Sequence, residues 1–165
     1  MKKIILTVAA VFAFGLANAQ DGKFKVGAHF GLPMGDIKDG YSLNLGVDAA
    51  YMWSISDDFK AGVTTGYSTY LGKEYDVAGF TVKPDNYSVI PVAGTGQYSF
   101  SDKFFGGLDL GYAIAIAPSG ADGGLLYQPK VGYQTEKIEV YLGYKGISSN
   151  GSTASSLNLG LNYKF

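Results

Sequence analysis

The last ten residues, 156–165, alternate without a break. Leu157, Leu159, Leu161, Tyr163 and Phe165 fall on one side; Asn158, Gly160, Asn162 and Lys164 fall on the other. A period of two is that of a β-strand, whose successive side chains point to opposite faces. One face is wholly apolar, the other polar or tiny. At the edge of a soluble sheet such a strand would invite aggregation. It fits a wall with lipid on one side and a polar interior on the other.

The same design recurs along the chain. It predicts strands over 23–32, 42–53, 59–71, 87–100, 104–117, 125–134, 138–147 and 156–165. In the first, Phe24, Val26, Ala28, Phe30 and Leu32 share one face, and Lys25, Gly27, His29 and Gly31 share the other. Each is about ten residues long, the length a tilted strand needs to cross a bilayer. Pro91 interrupts the fourth strand, and because proline removes a ladder hydrogen bond a bulge or local break is expected there. The connections alternate in character. The second, fourth and sixth are short turns, whereas the first, third (72–86), fifth and seventh (148–155) are longer. Both termini and all short turns then share one side, as in barrels with short periplasmic turns and longer external loops. Outward-facing aromatics gather at both ends: Phe24, Trp53, Phe59, Phe100, Phe104, Tyr133, Tyr163 and Phe165 toward the turns, and Phe30, Tyr67, Tyr127 and Tyr144 toward the loops. Leu, Val and Ile hold the middle, so these read as two interfacial girdles. The expected fold is all-β: an eight-stranded antiparallel up-and-down transmembrane β-barrel. A soluble sandwich would instead put polar residues on its outer faces.

The first residues have a different pattern. Lys2 and Lys3 precede an apolar run from Ile4 to Leu16, and Ala17-Asn18-Ala19 is a small-x-small cleavage site. The run falls short of the roughly 20 residues of a spanning helix. Residues 1–19 are therefore expected to be a signal peptide cleaved after Ala19, with 20–165 forming the barrel domain. The chain has no cysteine and no arginine. Without Lys2 and Lys3, 11 lysines face 14 acids, a net charge of −3, which argues against nucleic acid as a partner. Gly is frequent, at 24 residues. Small side chains suit the interior of a narrow barrel, where there is little room.

Ala17-Asn18-Ala19-Gln20 and the closing Leu161-Asn162-Tyr163-Lys164-Phe165 carry a resemblance to the small eight-stranded outer-membrane barrels. The chain resembles the OmpA/OmpX-like superfamily, and within it the outer-membrane β-barrel proteins of Bacteroidetes-type bacteria. The resemblance implies localisation in a Gram-negative outer membrane and contact with its lipid. It also implies that Leu161, Tyr163 and Phe165 form the C-terminal assembly signal read by the outer-membrane insertion machinery.

Inward parity gathers the charges Lys25, Asp48, Lys60, Asp109, Lys130, Glu139, Lys145 and Lys164. An unpaired charge in a narrow lumen is costly, so pairing is the usual resolution. Folding each hairpin about its connection predicts three lumen ion pairs: Lys25–Asp48, Asp109–Lys130 and Glu139–Lys164. His29, the only histidine, has lumen parity near the loop end, with Ser68 at similar height. No nucleophile-elbow motif frames Ser68, so no catalytic residue is assigned and no enzymatic activity is expected. Asp36, Asp39 and Asp76 are scattered loop acids, and no metal site is assigned. Gly120, Gly123 and Gly124 precede no helix, so they form no phosphate cradle. No cofactor is expected.

The function that follows is structural or interactive: a monomeric barrel that supports the membrane and holds external loops for adhesion or binding, with loop 72–86 as the place for an extracellular ligand. The alternative is a narrow porin-like or lateral channel for small solutes, with interior space left by Gly27, Gly46, Gly62, Gly66, Gly111 and Gly132.

Overall fold

The computed structural model describes residues 22–77 and 80–165. The expected signal peptide, its cleavage after Ala19 and the mature start at Gln20 lie outside the described residues. Ten strands follow one another: β1 (Gly22–Gly35), β2 (Tyr41–Ser54), β3 (Phe59–Gly72), β4 (Tyr75–Val77), β5 (Phe80–Val82), β6 (Tyr87–Ser99), β7 (Phe104–Ala117), β8 (Gly124–Gln134), β9 (Ile138–Ser149) and β10 (Ser152–Lys164). Eight of them close into a barrel in the order β1-β10-β9-β8-β7-β6-β3-β2, every neighbour antiparallel. Closure leaves no open edge, the condition for backbone to cross a membrane through strands. β4 and β5 form a separate two-stranded ribbon within the loop between β3 and β6. The sequence pattern treats that whole stretch as connection.

The parity holds around the wall. Val26, Phe30, Val47, Val63, Val92, Leu108, Leu110, Ile114, Val131, Leu142 and Leu161 are exposed outward, while Lys25, His29, Gln97, Asp109, Glu139 and Lys145 are buried inward. This is the inverse of a soluble barrel and fits a transmembrane one. The turn-side girdle is knit by ring contacts: Phe24–Phe165 at 5.9 Å, Tyr163–Phe165 at 4.9 Å, Tyr51–Trp53 at 4.9 Å, Tyr98–Phe100 at 5.7 Å and Phe104–Tyr133 at 5.6 Å between centroids. Tyr127 and Tyr144 meet at 6.2 Å on the loop side.

Two expectations from sequence are corrected. First, the seventh connection is no loop. β9 and β10 run on to Ser149 and Ser152 and are joined by Asn150-Gly151 alone, with φ of 48° and 83°. Asn-Gly supplies the two left-handed residues of the tightest hairpin turn, and the flanking Ser and Thr extend the strands. Second, of the bulge or local break expected at Pro91 only the break is met, and no bulge sits there. β6 runs through it, Pro91 lies inward opposite Ala113, and the register shift falls earlier, at Ser88/Val89. The β3–β6 ladder keeps its register on either side of Ile90–Pro91, where bridging pauses. The proline carbonyl still accepts from Thr65 Oγ1 at 2.8 Å.

Candidate functional site

Among the described residues, buried charged side chains converge in the lumen, which is built in tiers. At the turn end, Lys25 on β1 reaches across β10. Its Nζ donates to Glu139 Oε1 at 2.7 Å and to Gln97 Oε1 at 2.7 Å. Gln97 passes its amide to Gln134 Oε1 at 3.1 Å and Glu139 Oε1 at 3.2 Å, and Gln134 donates onward to Ser99 Oγ at 3.0 Å. Asn162 Nδ2 donates to the other Glu139 oxygen at 3.4 Å. Glu139, only 1% exposed, thus gathers donors from β1, β6 and β10. A buried carboxylate is tolerable only when its lone pairs are met in this way.

Halfway up, Lys130 grips Asp109 with contacts of 2.8 and 2.9 Å and lies 5.6 Å from the centre of the Tyr141 ring. Above it, His29 Nδ1 meets Asp48 Oδ2 at 2.5 Å, and Lys145 Nζ lies 2.8 Å from His29 Nε2. His29 thus bridges Asp48 and Lys145 through its two ring nitrogens. Ser68 Oγ accepts from Asn44 Nδ2 at 2.9 Å and Lys145 Nζ at 3.3 Å. Asp48, His29 and Ser68 stand in the order of a nucleophilic triad, with His29 Nε2 also 3.4 Å from Ser68 Oγ. The histidine nitrogen that would take the serine proton is held by Lys145, and Ser68 has no exposed surface.

At the loop end the lining turns apolar. Tyr70, Val89, Ala93, Ala113, Leu126 and Ile147 form a buried cluster, with Tyr41 and Tyr87 packed against it. Tyr70 meets Tyr41 edge-on at 6.2 Å and Tyr87 at a tilt at 6.0 Å, while its hydroxyl meets Ser156 Oγ at 3.2 Å across the lumen.

The sequence-predicted pairs fare differently. Asp109 and Lys130 are together. Glu139 and Lys164 also form an ion pair, at 3.8 Å, while the shorter partner of Glu139 is Lys25 at 2.7 Å. Lys25 and Asp48 are not a pair: Gly27 stands opposite Asp48, and Lys25 opposite Ala50. Folding hairpins one at a time sees only adjacent strands, whereas closure brings β1 within reach of β9. Turn-end, inward parity shared by Lys25 and Glu139 is the signal that could have found the contact. The uncharged members, Gln97, Gln134, Asn162 and Tyr141, were missed because only charges were counted. Leu161, Tyr163 and Phe165 stand exposed on the outer face at the end of β10, with Phe165 N bonded to Phe24 O at 2.9 Å.

The interior glycines do not leave an opening. At Gly46 a Cβ would strike the His29 ring, at Gly160 the Tyr141 ring, at Gly132 the Phe105 ring and at Gly27 the Asn162 amide. They are the close approaches that let large side chains lie across a narrow lumen. What remains between the tiers is a void of about 40 Å³ lined by Lys25, Asp48, Asp109, Lys130, Glu139 and Lys145. At roughly 10–15 Å³ of such volume per water, it holds only a few waters.

Fold and lumen together define a closed eight-stranded transmembrane β-barrel with a filled interior. No family model and no curated protein matches the chain. Solved structures similar to it are barrels of this kind. The outer membrane protein Ail of Yersinia pestis, in a phospholipid bilayer nanodisc, superposes with a TM-score of 0.58 at 14% identity, over 88% of this chain and 99% of that one. The de novo designed barrel TMB2.3 gives 0.58 at 14% identity, over 90% and 98%. The N-terminal β-barrel domain of Pseudomonas aeruginosa OprF gives 0.51 at 12% identity, over 87% and 97%. At these identities the likeness is one of fold.

Proposed function

We propose that this protein is a non-conducting outer-membrane anchor that displays its external loops, above all 73–86, for binding. The observation that carries the proposal is the filled lumen. Three tiers of side chains and an apolar plug leave a void of about 40 Å³, too small for a solute path. A catalytic role finds no support in a serine with no exposed surface and a histidine already engaged on both nitrogens. Chemistry and adhesion then fall to the loops, which a rigid scaffold holds in place.

The proposal includes export by a cleaved leader, delivery to a Gram-negative outer membrane of the Bacteroidetes type, and insertion by machinery that reads Leu161, Tyr163 and Phe165. It takes the barrel to work as a monomer. The apolar outer face and the two girdles support residence in lipid. Ail of Yersinia pestis, an attachment invasion locus protein, has been solved with the heparin analogue sucrose octasulfate. The loops of this chain are acidic. Asp36, Asp39, Glu74, Asp76, Asp85 and Asp122 outnumber Lys38, Lys73 and Lys83, so a polyanion is disfavoured as the ligand.

Fractionation tests the proposal. The protein is expected in the outer-membrane fraction, migrating differently in gels before and after boiling, with a protease site engineered into 73–86 cut on intact cells. Recovery in the soluble fraction, or an inserted site cut only after lysis, would refute it.

A further inference from the structure

The two mouths of the barrel differ in sign. The loops are acidic, whereas the inward positions of the turn mouth carry Lys23, Lys25, Lys60 and Lys164. Lys25 and Lys164 stand opposite each other in the β1–β10 ladder. Lys60 stands opposite the buried Gln97, and Lys23 shares the inward parity of Lys25. Among the described residues the one buried carboxylate here is Glu139, and it is spoken for. Its Oε1 accepts from Lys25 at 2.7 Å and from Gln97 at 3.2 Å, which leaves Lys164 a share at 3.8 Å.

Lys60 and Lys23 have no such share. Among the described residues neither meets a carboxylate within ion-pair distance. Both lie near enough to Lys164 for their charges to repel its own, and the rim acid that acts on Lys164 is Glu136. Asp57, Asp58 and Asp102 stand exposed on the turns. Like charges gathered inside a low-dielectric wall raise the local potential and draw an anion. Once Lys25 is set against Glu139, three ammoniums remain against Glu136, an excess of two positive charges. A phosphate monoester carries close to two negative ones. The chain has no arginine, so no guanidinium fork is present to match a planar carboxylate. Lysines bind phosphate as point charges, each from its own side.

We propose that the turn mouth binds the phosphate monoester group of a water-soluble compound, held by Lys60, Lys164 and Lys23. A lipid headgroup is the poorer occupant, because the wall of the barrel separates the outward girdle from these inward side chains. The Lys25–Glu139–Gln97 tier closes the lumen beneath, so the phosphate binds at the mouth and does not pass. In the orientation proposed above, this mouth opens to the periplasm. The inference needs the closed barrel and not the display of loops, so either reading can fail alone.

Calorimetry on the full chain in phosphatidylcholine nanodiscs, which leave both mouths open, tests it with glycerol 3-phosphate as the probe. One saturable site per barrel is expected. Lys60→Gln should weaken it about tenfold, the loss of one charge-assisted hydrogen bond, with heat-modifiable mobility intact. Should that variant fail to fold, Lys23→Gln removes a second ammonium outside the buried network. Lys83→Gln, in the 73–86 loop, should change nothing. Methyl sulfate, a monoanion of similar shape, should bind several-fold more weakly. No saturable binding, equal weakening by Lys83→Gln, or equal affinity for methyl sulfate would each overturn the proposal. Competition from phosphatidic acid in the disc, but not from phosphatidylglycerol, would overturn the soluble ligand in favour of a headgroup.

Discussion

The two ends of the lumen are closed by opposite means. At the turn end a polar network does it: Lys25, Glu139, Gln97, Gln134 and Asn162 link β1, β6, β8, β9 and β10 through hydrogen bonds of 2.7 to 3.4 Å. At the loop end Tyr70, Val89, Ala113, Leu126 and Ile147 do it by filling space. The difference is one of tolerance. Apolar packing degrades by the methylene, whereas a buried charge that loses its partner is left with its full desolvation cost. The network also joins the first strand to the penultimate one, so it can form only in a closed barrel of the right register. The apolar plug seals, and the network in addition checks closure.

Breaking that contrast should cost most at the network. Glu139→Leu leaves Lys25 and Lys164 without their carboxylate and should lower stability by about 3–5 kcal/mol. Urea unfolding of the reconstituted barrel, followed by Trp53 fluorescence, reads this. Adding Lys25→Met to Glu139→Leu should recover more than half of the loss, since a buried pair replaced by apolar groups is often near neutral. No recovery would mean that the pair does not act as a unit. Gly151→Ala forces a Cβ onto a residue at φ 83° and should cost about 1–2 kcal/mol, read by the same unfolding midpoint. Ile147→Val trims one methylene from the plug and should cost about 0.5–1.5 kcal/mol. A larger loss there would erase the difference in tolerance between the two ends. Replacing 73–86 with a two-residue turn should leave the midpoint unchanged, because the β4–β5 ribbon makes no ladder to the barrel.

What the sequence revealed of this fold follows from its solvent. A wall with lipid outside and a tight lumen inside constrains both faces of every strand, so the period-2 signal is strong. Predicted strands such as 104–117 and 59–71 match β7 and β3 to within a residue. The misreadings fall where that constraint lapses. Ser148–Ser155 lies beyond the apolar belt, so its Ser, Gly and Asn read as loop although Asn150-Gly151 announced a hairpin. The β4–β5 ribbon has no lipid face, and its three-residue strands were absorbed into a connection. At Pro91 the missing N–H announced a local break, and β3–β6 bridging does pause there while β6 itself runs on without a bulge. The lumen charges were identified by parity; the partner of Lys25 depended on closure, which adjacent-strand pairing does not contain. Asp109–Lys130 was within reach of that method because β7 and β8 are neighbours. The Lys25–Glu139 contact spans β10 and was not.

Conductance across a planar bilayer tests most directly whether the lumen is filled. Protein whose barrel is verified by heat-modifiable mobility should give no steady channels, with or without the 73–86 loop. Discrete ohmic openings of reproducible size would show that the tiers around Glu139, Lys130 and Tyr70 part to leave a path, and the structural reading would give way to transport.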